Sequence, residues 1–302
     1  MNALSSRLAA AREKAAVGPV LARGLLHVTG KDRLDYLHRM CTQRVNGLSP
    51  GSAVHAAFLN VKGRVLAEGM LVVGEEHVLL DVDAGVAESL RAHLAKYVIM
   101  DEVEVENASA KQRVVPVLGP VGIEVARKRA PASMKWENPR RGAPCLDLVF
   151  PDADVEAFRA EILAAGAISL SENDLDVLRV MAGVGRYGAE IDDARLPMEA
   201  GLLATGVSFD KGCYLGQEVV LRGTVRGQIQ KGLVQLALPQ GAEAGALLMA
   251  AGQEVGRVTS AVDTPEGRLG LGYLRRAHWN EGERLGTQGG EAVVKRVLVR
   301  ER

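Results

Sequence analysis

The chain has 302 residues, 47% of them hydrophobic, which is enough for two or three domains with a sizeable buried core. Basic and acidic residues number 37 each, so the net charge is zero and direct nucleic-acid binding is not expected. No apolar run reaches the roughly 20 residues that a membrane span needs, and no secretory signal opens the chain. These features predict a cytoplasmic protein that does not enter a membrane.

We assign residues 1–112 to an N-terminal α+β unit. Thr29, with Asp32 three residues later, is a candidate helix cap after the first strand. Apolar residues at helical spacing predict a second helix over residues 84–97. The predicted strands are 25–28, 53–59, 65–73, 77–82 and 103–105.

Residues 113–170 have a regular order of elements. The pattern predicts strand, helix, strand, helix and strand, with a long polar loop at 135–142. One further short strand inside that loop would complete β-α-β-β-α-β, the ferredoxin-like motif. We therefore predict a ferredoxin-like middle part.

Residues 171–231 form the least regular part of the chain. Ser171 and Asp174 have the spacing of a capping box for a helix at 175–182. The segment 183–208 is rich in Gly, Asp and Pro, and long ordered loops of this kind are usually functional. From 232 to 302, five short strands separated by turns predict a small β-barrel.

The segment Lys211–Glu218, with the sequence KGCYLGQE, mixes residue types that neither a core strand nor a solvent loop requires. We call it the octet. Cys213 follows Lys211 by two positions, and a nearby ammonium favours the reactive thiolate. The alternative is a tight turn that happens to contain a cysteine. Cys41 and Cys145 lie in apolar stretches and are predicted to be core residues, and three widely spaced cysteines favour a reducing compartment.

Several common catalytic and metal-binding patterns are missing from the sequence. The six histidines are not spaced as metal ligands, so we expect no stably bound metal. There is no P-loop, no nucleophile elbow and no dinucleotide-binding glycine motif after a strand. Polar residues of both signs are concentrated from Arg179 to Arg226, between two predicted folded units. Ligand sites favour such junctions, so this region is the predicted pocket.

Two segments of this region resemble the YgfZ family, folate-binding relatives of the aminomethyltransferase (T-protein) of the glycine cleavage system. They are RVMAGVGRYGAEIDDARLPMEAGL at 179–202 and the octet itself. Similar sequence occurs near the start (GKDRLDYLHRMCTQRVNGL), at 59–66 (LNVKGRVL) and near the end (GRVTS and LGY). The resemblance implies a three-domain ring around a central folate pocket, which agrees with the α+β order derived above.

The resemblance also implies a function. The protein would bind tetrahydrofolate and support the assembly or repair of iron–sulfur clusters through Cys213, with Lys211 tuning the thiol. Its partners would be iron–sulfur client or assembly proteins, and a link to tRNA modification would be indirect.

The family's folate contacts carry over residue by residue. Glu199 is similar to the T-protein glutamate that holds the pterin ring, where one carboxylate accepts from two adjacent donors. Tyr187 would line the same pocket, and Arg222 or Arg226 would meet the anionic tail of folate. The octet residues that would complete the site are Tyr214, Gln217 and Glu218.

The sequence departs from the T-protein where that enzyme has an acidic pair after a G-x-x-L turn. Here the pair is Ala67-Glu68, so the catalytic acid pair is incomplete and enzymatic activity is left open. One alternative function is an active folate-dependent aminomethyltransferase or demethylase with Glu68 as its base. Another is a partner-binding protein with a vestigial folate pocket.

Overall fold

The computed structural model describes residues 3–129, 134–225 and 229–299. Within these ranges the strands form two open five-stranded sheets and one closed six-stranded barrel. The predicted α+β architecture with a C-terminal barrel is therefore confirmed. No helix in the described ranges is long and apolar enough to cross a membrane.

The N-terminal sheet is antiparallel and carries two helices. After α1 (Ala3–Glu13) and β1 (Ala16–Val17), its elements are β2 (Gly24–Thr29), α2 (Arg33–Met40), β3 (Ala53–Leu59), β4 (Val65–Val73), β5 (His77–Val82), α3 (Ala87–Lys96) and β6 (Glu104–Asn107). The strand order is β3-β4-β5-β2-β6, so β6 lies at an edge of the sheet. Leu90 and Leu94, one turn apart on α3, are buried in the core of this sheet. The prediction that Thr29 caps α2 is wrong, because α2 begins at Arg33 with Asp32 at its N-cap position, and Thr29 ends β2.

The middle sheet contains the predicted ferredoxin-like motif. Its elements are β7 (Gln112–Leu118), α4 (Pro120–Arg129), β8 (Lys135–Glu137), β9 (Cys145–Pro151), α5 (Val155–Ala164) and β10 (Ile168–Ser169). The strand order is β10-β1-β7-β9-β8, and β8 lies in the polar loop where the motif required a further strand. β1 is inserted between β7 and β10, since Ala16 pairs with both Leu118 and Ile168. A two-residue strand has no periodicity to detect, so the sequence grouped it with the N-terminal unit.

Two helices flank the long loop that follows. α6 (Glu172–Ala182) begins with the predicted capping box, in which the Asp174 amide donates to Ser171 Oγ at 3.2 Å. In return, the Ser171 amide donates to an Asp174 carboxylate oxygen at 2.9 Å. α7 (Gln217–Val225) is not predicted by the sequence pattern, and it begins with the last two residues of the octet.

The barrel closes on itself with the order β11-β14-β13-β12-β15-β16. Its strands are β11 (Lys231–Ala237), β12 (Leu247–Ala250), β13 (Gln253–Thr264), β14 (Gly267–Arg275), β15 (Arg284–Thr287) and β16 (Gly290–Val297). The five predicted strands are present, and β15 is the strand that the sequence missed.

Three buried apolar clusters join these units in a ring. Trp136 of the middle sheet is buried in one cluster with Leu25 of the N-terminal sheet. Leu178 of α6 shares a second cluster with Tyr273 of the barrel. The third cluster connects the N-terminal sheet to the long loop and the barrel entrance through Leu59, Ile191, Met198, Ile229 and Trp279. Each unit therefore packs on the other two.

Candidate functional site

The octet forms a loop followed by the start of α7. Cys213 is exposed. After it, the Leu215 amide donates to the Arg39 carbonyl at 3.1 Å, and before it, the Ser208 amide donates to the Thr42 carbonyl at 2.9 Å. The thiol therefore lies on a loop whose backbone is fixed to the end of α2 on both sides.

Lys211 anchors the same loop. Its Nζ donates to the carbonyl oxygens of Cys41 and Gln43, both at 2.8 Å, and to that of His38. It also lies 5.0 Å from the ring centroid of Tyr214, which is buried. Burial lowers the pKa of Lys211 to about 8. Because an ammonium has three hydrogens to donate, these carbonyls occupy it fully, and its tuning of the thiol stays a prediction.

The last octet residues lie at the start of α7. Glu218 and Arg222 form an ion pair one turn apart on the exposed surface of the helix. Gln217 is partly exposed at the first helical position. Arg226, the other candidate for the folate tail, lies outside the described residues. An exposed i,i+4 pair contributes only a few tenths of a kcal/mol, so Glu218 and Arg222 can exchange partners readily.

Glu199 lies where the long loop meets the N-terminal unit. Its Oε2 accepts from the Leu196 amide at 3.0 Å and lies 3.7 Å from Arg64 Nη1. The side chain is 24% exposed. One carboxylate oxygen is committed to these contacts, and the other can accept from a ligand.

A cavity of about 330 Å³, which we call the central cavity, lies between the N-terminal unit, the middle part and the segment formed by α6 and the start of the long loop. Of the predicted folate contacts, Tyr187 lines it. Among the described residues, its wall does not include Glu199, Tyr214, Gln217, Glu218 or Arg222. The lining side chains that carry its chemistry are Arg23, Glu68, Arg140, Arg141, Asp176 and Tyr187. The structure thus separates the octet from the central cavity, and the folate-binding role of each predicted residue stays a prediction.

A second, smaller cavity adjoins the central one. Its volume is about 150 Å³, and the two cavities share Arg140, Val184 and Gly185. Ala200, the residue after Glu199, and Thr205 also line it. Arg140 is therefore a wall residue of both cavities.

Glu68 is a buried, fully paired carboxylate on the cavity wall. Arg140 Nη2 lies 2.9 Å from Glu68 Oε1, and His55 Nε2 lies 2.9 Å from Glu68 Oε2. Burial pushes the pKa of Glu68 upward, but the positive charge of Arg140 and the hydrogen bond from His55 outweigh it and lower the pKa to about 2. The sequence drew attention to Glu68, but gave no reason to pair it with His55, 13 residues away, or with Arg140 in another unit.

Two further arginines on the cavity wall form ion pairs with buried aspartates. Arg23 Nε donates to Asp81 at 2.6 Å, and Arg141 Nη2 donates to Asp147 at 2.8 Å. Asp81 and Asp147 are 1% and 0% exposed. Such pairing fixes the orientation of each guanidinium group before any ligand arrives. In the described part of the chain, no group of three or more His, Cys, Asp or Glu residues could hold a metal ion.

Two family models match the chain. The GCVT N-terminal domain matches residues 2–140, and the CAF17 C-terminal beta-barrel domain matches residues 230–297. The crystal structure of the glycine cleavage system aminomethyltransferase T from Bartonella henselae matches with a TM-score of 0.85. The match covers 99% of this chain and 90% of that chain at 21% identity, so it establishes the fold.

Curated relatives carry a functional name. The mitochondrial iron–sulfur cluster assembly factor IBA57 of Homo sapiens is 32% identical over 285 residues, covering 86% of this chain and 76% of that protein. The mitochondrial IBA57 homolog of Phaeosphaeria nodorum is 28% identical over 244 residues, covering 74% of this chain and 56% of its own length. The chain thus spans little more than half the length of that relative. With an aminomethyltransferase-type N-terminal domain, a CAF17-type barrel and this degree of identity to the human protein, the chain belongs to the family of the iron–sulfur cluster assembly factor IBA57.

Proposed function

We propose that the protein is a tetrahydrofolate-binding factor of the YgfZ type that supports iron–sulfur cluster assembly or repair, with Cys213 as its functional thiol. The observation that carries the proposal is an exposed cysteine on an anchored loop, in a chain whose human relative is named an iron–sulfur cluster assembly factor. Its partners are iron–sulfur client or assembly proteins. The cytoplasmic location and the indirect link to tRNA modification stay predictions.

The central cavity has the volume of a small-molecule site, and its wall carries groups that complement parts of a folate. Its volume of about 330 Å³ lies at the lower end of the range for small-molecule sites. Asp176 Oδ1 accepts from Arg179 Nε at 2.6 Å, so the other carboxylate oxygen is the acceptor that is open to a pterin donor, and the Tyr187 ring offers an apolar face. Arg23 uses Nε for Asp81, which leaves its terminal NH2 groups for a carboxylate of the folate tail. Bound there, folate would supply one-carbon chemistry.

An active transferase is the weaker alternative. Glu68 would have to serve as its base, and a carboxylate with a pKa of about 2 has little affinity for a proton at neutral pH. The contacts with Arg140 and His55 also occupy both carboxylate oxygens. An assay for methylene-tetrahydrofolate with candidate amine donors tests this alternative, and product formation that Glu68→Gln abolishes would establish it.

Complementation in cells that lack the native gene tests the role of Cys213. Cys213→Ala should fail to restore the activity of cluster-dependent enzymes. The matched control is Gly212→Ala, because a Cβ on Gly212 meets no atom within 4 Å and the thiol is kept. Full restoration by Cys213→Ala would remove this residue from the mechanism.

Calorimetry with 5-formyltetrahydrofolate tests the folate half of the proposal. Binding heat that Tyr187→Ala reduces is the expected result. No heat at high ligand concentration would leave a partner-binding protein with a vestigial pocket.

A further inference from the structure

A continuous line of polar contacts leads from the central cavity to the Cys213 loop. Arg140 on the cavity wall contacts Glu68, Glu68 contacts His55, and His55 Nδ1 lies 2.9 Å from Thr205 Oγ1. Glu68 and His55 are only 6% and 5% exposed, so water competes little for their bonds. We call these four residues the Arg140–Thr205 chain.

The hydrogen bonds in this chain have a defined direction. Glu68 is ionised, so it accepts from Arg140 and from the Nε2–H group of His55. Burial, followed by the charge of Arg140, lowers the pKa of His55, so its imidazole is neutral. Nδ1 then carries a lone pair and accepts the hydroxyl proton of Thr205. The proton position on His55 thus depends on the charge of Glu68, and the hydrogen bond of Thr205 depends on the proton position on His55.

Thr205 begins the segment that leads to the thiol, and this segment is bonded to the end of α2. Gln43 Nε2 donates to the Thr205 carbonyl at 3.2 Å, and Thr42 Oγ1 donates to the Gly206 carbonyl. The Gln43 carbonyl in turn accepts from Lys211 at 2.8 Å. Thr205 and Gly206 are thus bonded to Thr42 and Gln43, the residues whose carbonyls hold Ser208 and Lys211.

We propose that Glu68 and His55 are positioning residues that couple the occupancy of the central cavity to the order of the Cys213 loop. An anionic group of a ligand that draws Arg140 away leaves the Glu68 carboxylate without its cation, and the carboxylate shifts toward the ligand or solvent. The rigid imidazole of His55 spans two bonds of 2.9 Å, so it cannot follow Glu68 and keep Thr205. Residues 205–215 then break their hydrogen bonds with the end of α2 more often. The identity of the ligand rests on the proposed function, whereas the coupling does not.

Hydrogen–deuterium exchange of amides 205–215 tests the coupling without a ligand. Arg140→Gln and Thr205→Val should each speed exchange by about fivefold, the effect of losing one supporting hydrogen bond. The double variant should exchange no faster than the single ones, because both act on the same chain. Arg186→Gln is the matched control. It removes a charge from the same cavity wall, but Arg186 is not one of the four residues of the Arg140–Thr205 chain, so exchange should not change. Unchanged exchange in Thr205→Val, or independent effects in the double variant, would overturn the proposal.

A second arm uses 5-formyltetrahydrofolate. Saturating ligand should speed exchange of amides 205–215 in the natural protein, and Thr205→Val should bind with the same heat but lose the response. Binding of 5-formyltetrahydrofolate without any change in exchange would contradict the coupling but not the proposed function. Absence of binding would count against the folate half of that function, and the variants without ligand would still decide the coupling. If Arg140→Gln does not fold, Thr205→Val and the ligand arm carry the test.

Discussion

Gly63 and Gly216 pack so closely that a Cβ on either residue would meet an atom of the other. A Cβ on Gly216 would lie 3.2 Å from Gly63 Cα and 2.6 Å from the Asn60 carbonyl oxygen. Both glycines have positive φ, 72° at Gly63 and 82° at Gly216. The β3–β4 hairpin and the octet are therefore built against each other, backbone to backbone. This contact explains why the octet needs its second glycine.

The first prediction follows from this contact. Gly216→Ala should lower the free energy of unfolding by about 2 kcal/mol, because left-handed backbone costs an L-residue about 1–2 kcal/mol and the Asn60 oxygen must also move. Urea unfolding measures the change. Gly212→Ala is the control within the same octet, since its Cβ meets open space. Equal stability of the two variants would contradict the close contact.

The second prediction concerns acid stability. The pKa of Glu68 is about 2 in the folded protein against an ordinary value of 4.5, so folding favours its ionised form. This stabilisation is complete above pH 4.5 and is lost as the pH falls toward 2, with a total of about 3 kcal/mol. Unfolding of Glu68→Gln between pH 5 and 2 should therefore depend less steeply on pH. Glu218→Gln, in an exposed ion pair, should keep the slope of the natural protein.

The third prediction concerns thiol reactivity. Cys41 and Cys145 are buried, and burial raises the pKa of both thiols, whereas Cys213 is exposed. Brief treatment of the native protein with iodoacetamide should label one cysteine, and peptide mapping should identify it as Cys213. Cys213→Ser should remove the rapid labelling. Rapid labelling of Cys41 or Cys145 would mean that the surrounding core opens on the timescale of the reaction.

The fourth prediction separates two carboxylates that could hold the pterin. Asp176 lines the central cavity, whereas Glu199 lies outside its wall. If folate occupies the cavity, Asp176→Asn should weaken binding of 5-formyltetrahydrofolate by about tenfold, the loss of one charge-assisted hydrogen bond. Glu199→Gln should change the affinity less than threefold. The reverse order, measured by calorimetry, would return the pterin to Glu199, as the family resemblance implies.

Most elements of the fold could be predicted from the sequence. The ferredoxin-like order, the capping box of α6 and five of the six barrel strands follow from periodicity and turn chemistry, which act over a few residues. The elements that the sequence pattern did not predict are short, or they depend on contacts with distant parts of the chain. β1 has two residues and is held only by its neighbours in the sheet. α7 begins inside a segment whose glycines suggested a turn.

The sequence by itself determined that this chain carries the octet, with its cysteine, in a scaffold that resembles an aminomethyltransferase. Only the tertiary structure decided how these parts relate. It placed the octet against the β3–β4 hairpin and paired Glu68 with Arg140 from another unit. Of the predicted folate contacts in the described part of the chain, it brought Tyr187 to the wall of the central cavity. Local propensity extends over a few residues, whereas ion pairs and cavities depend on which surfaces meet once the ring of three units closes.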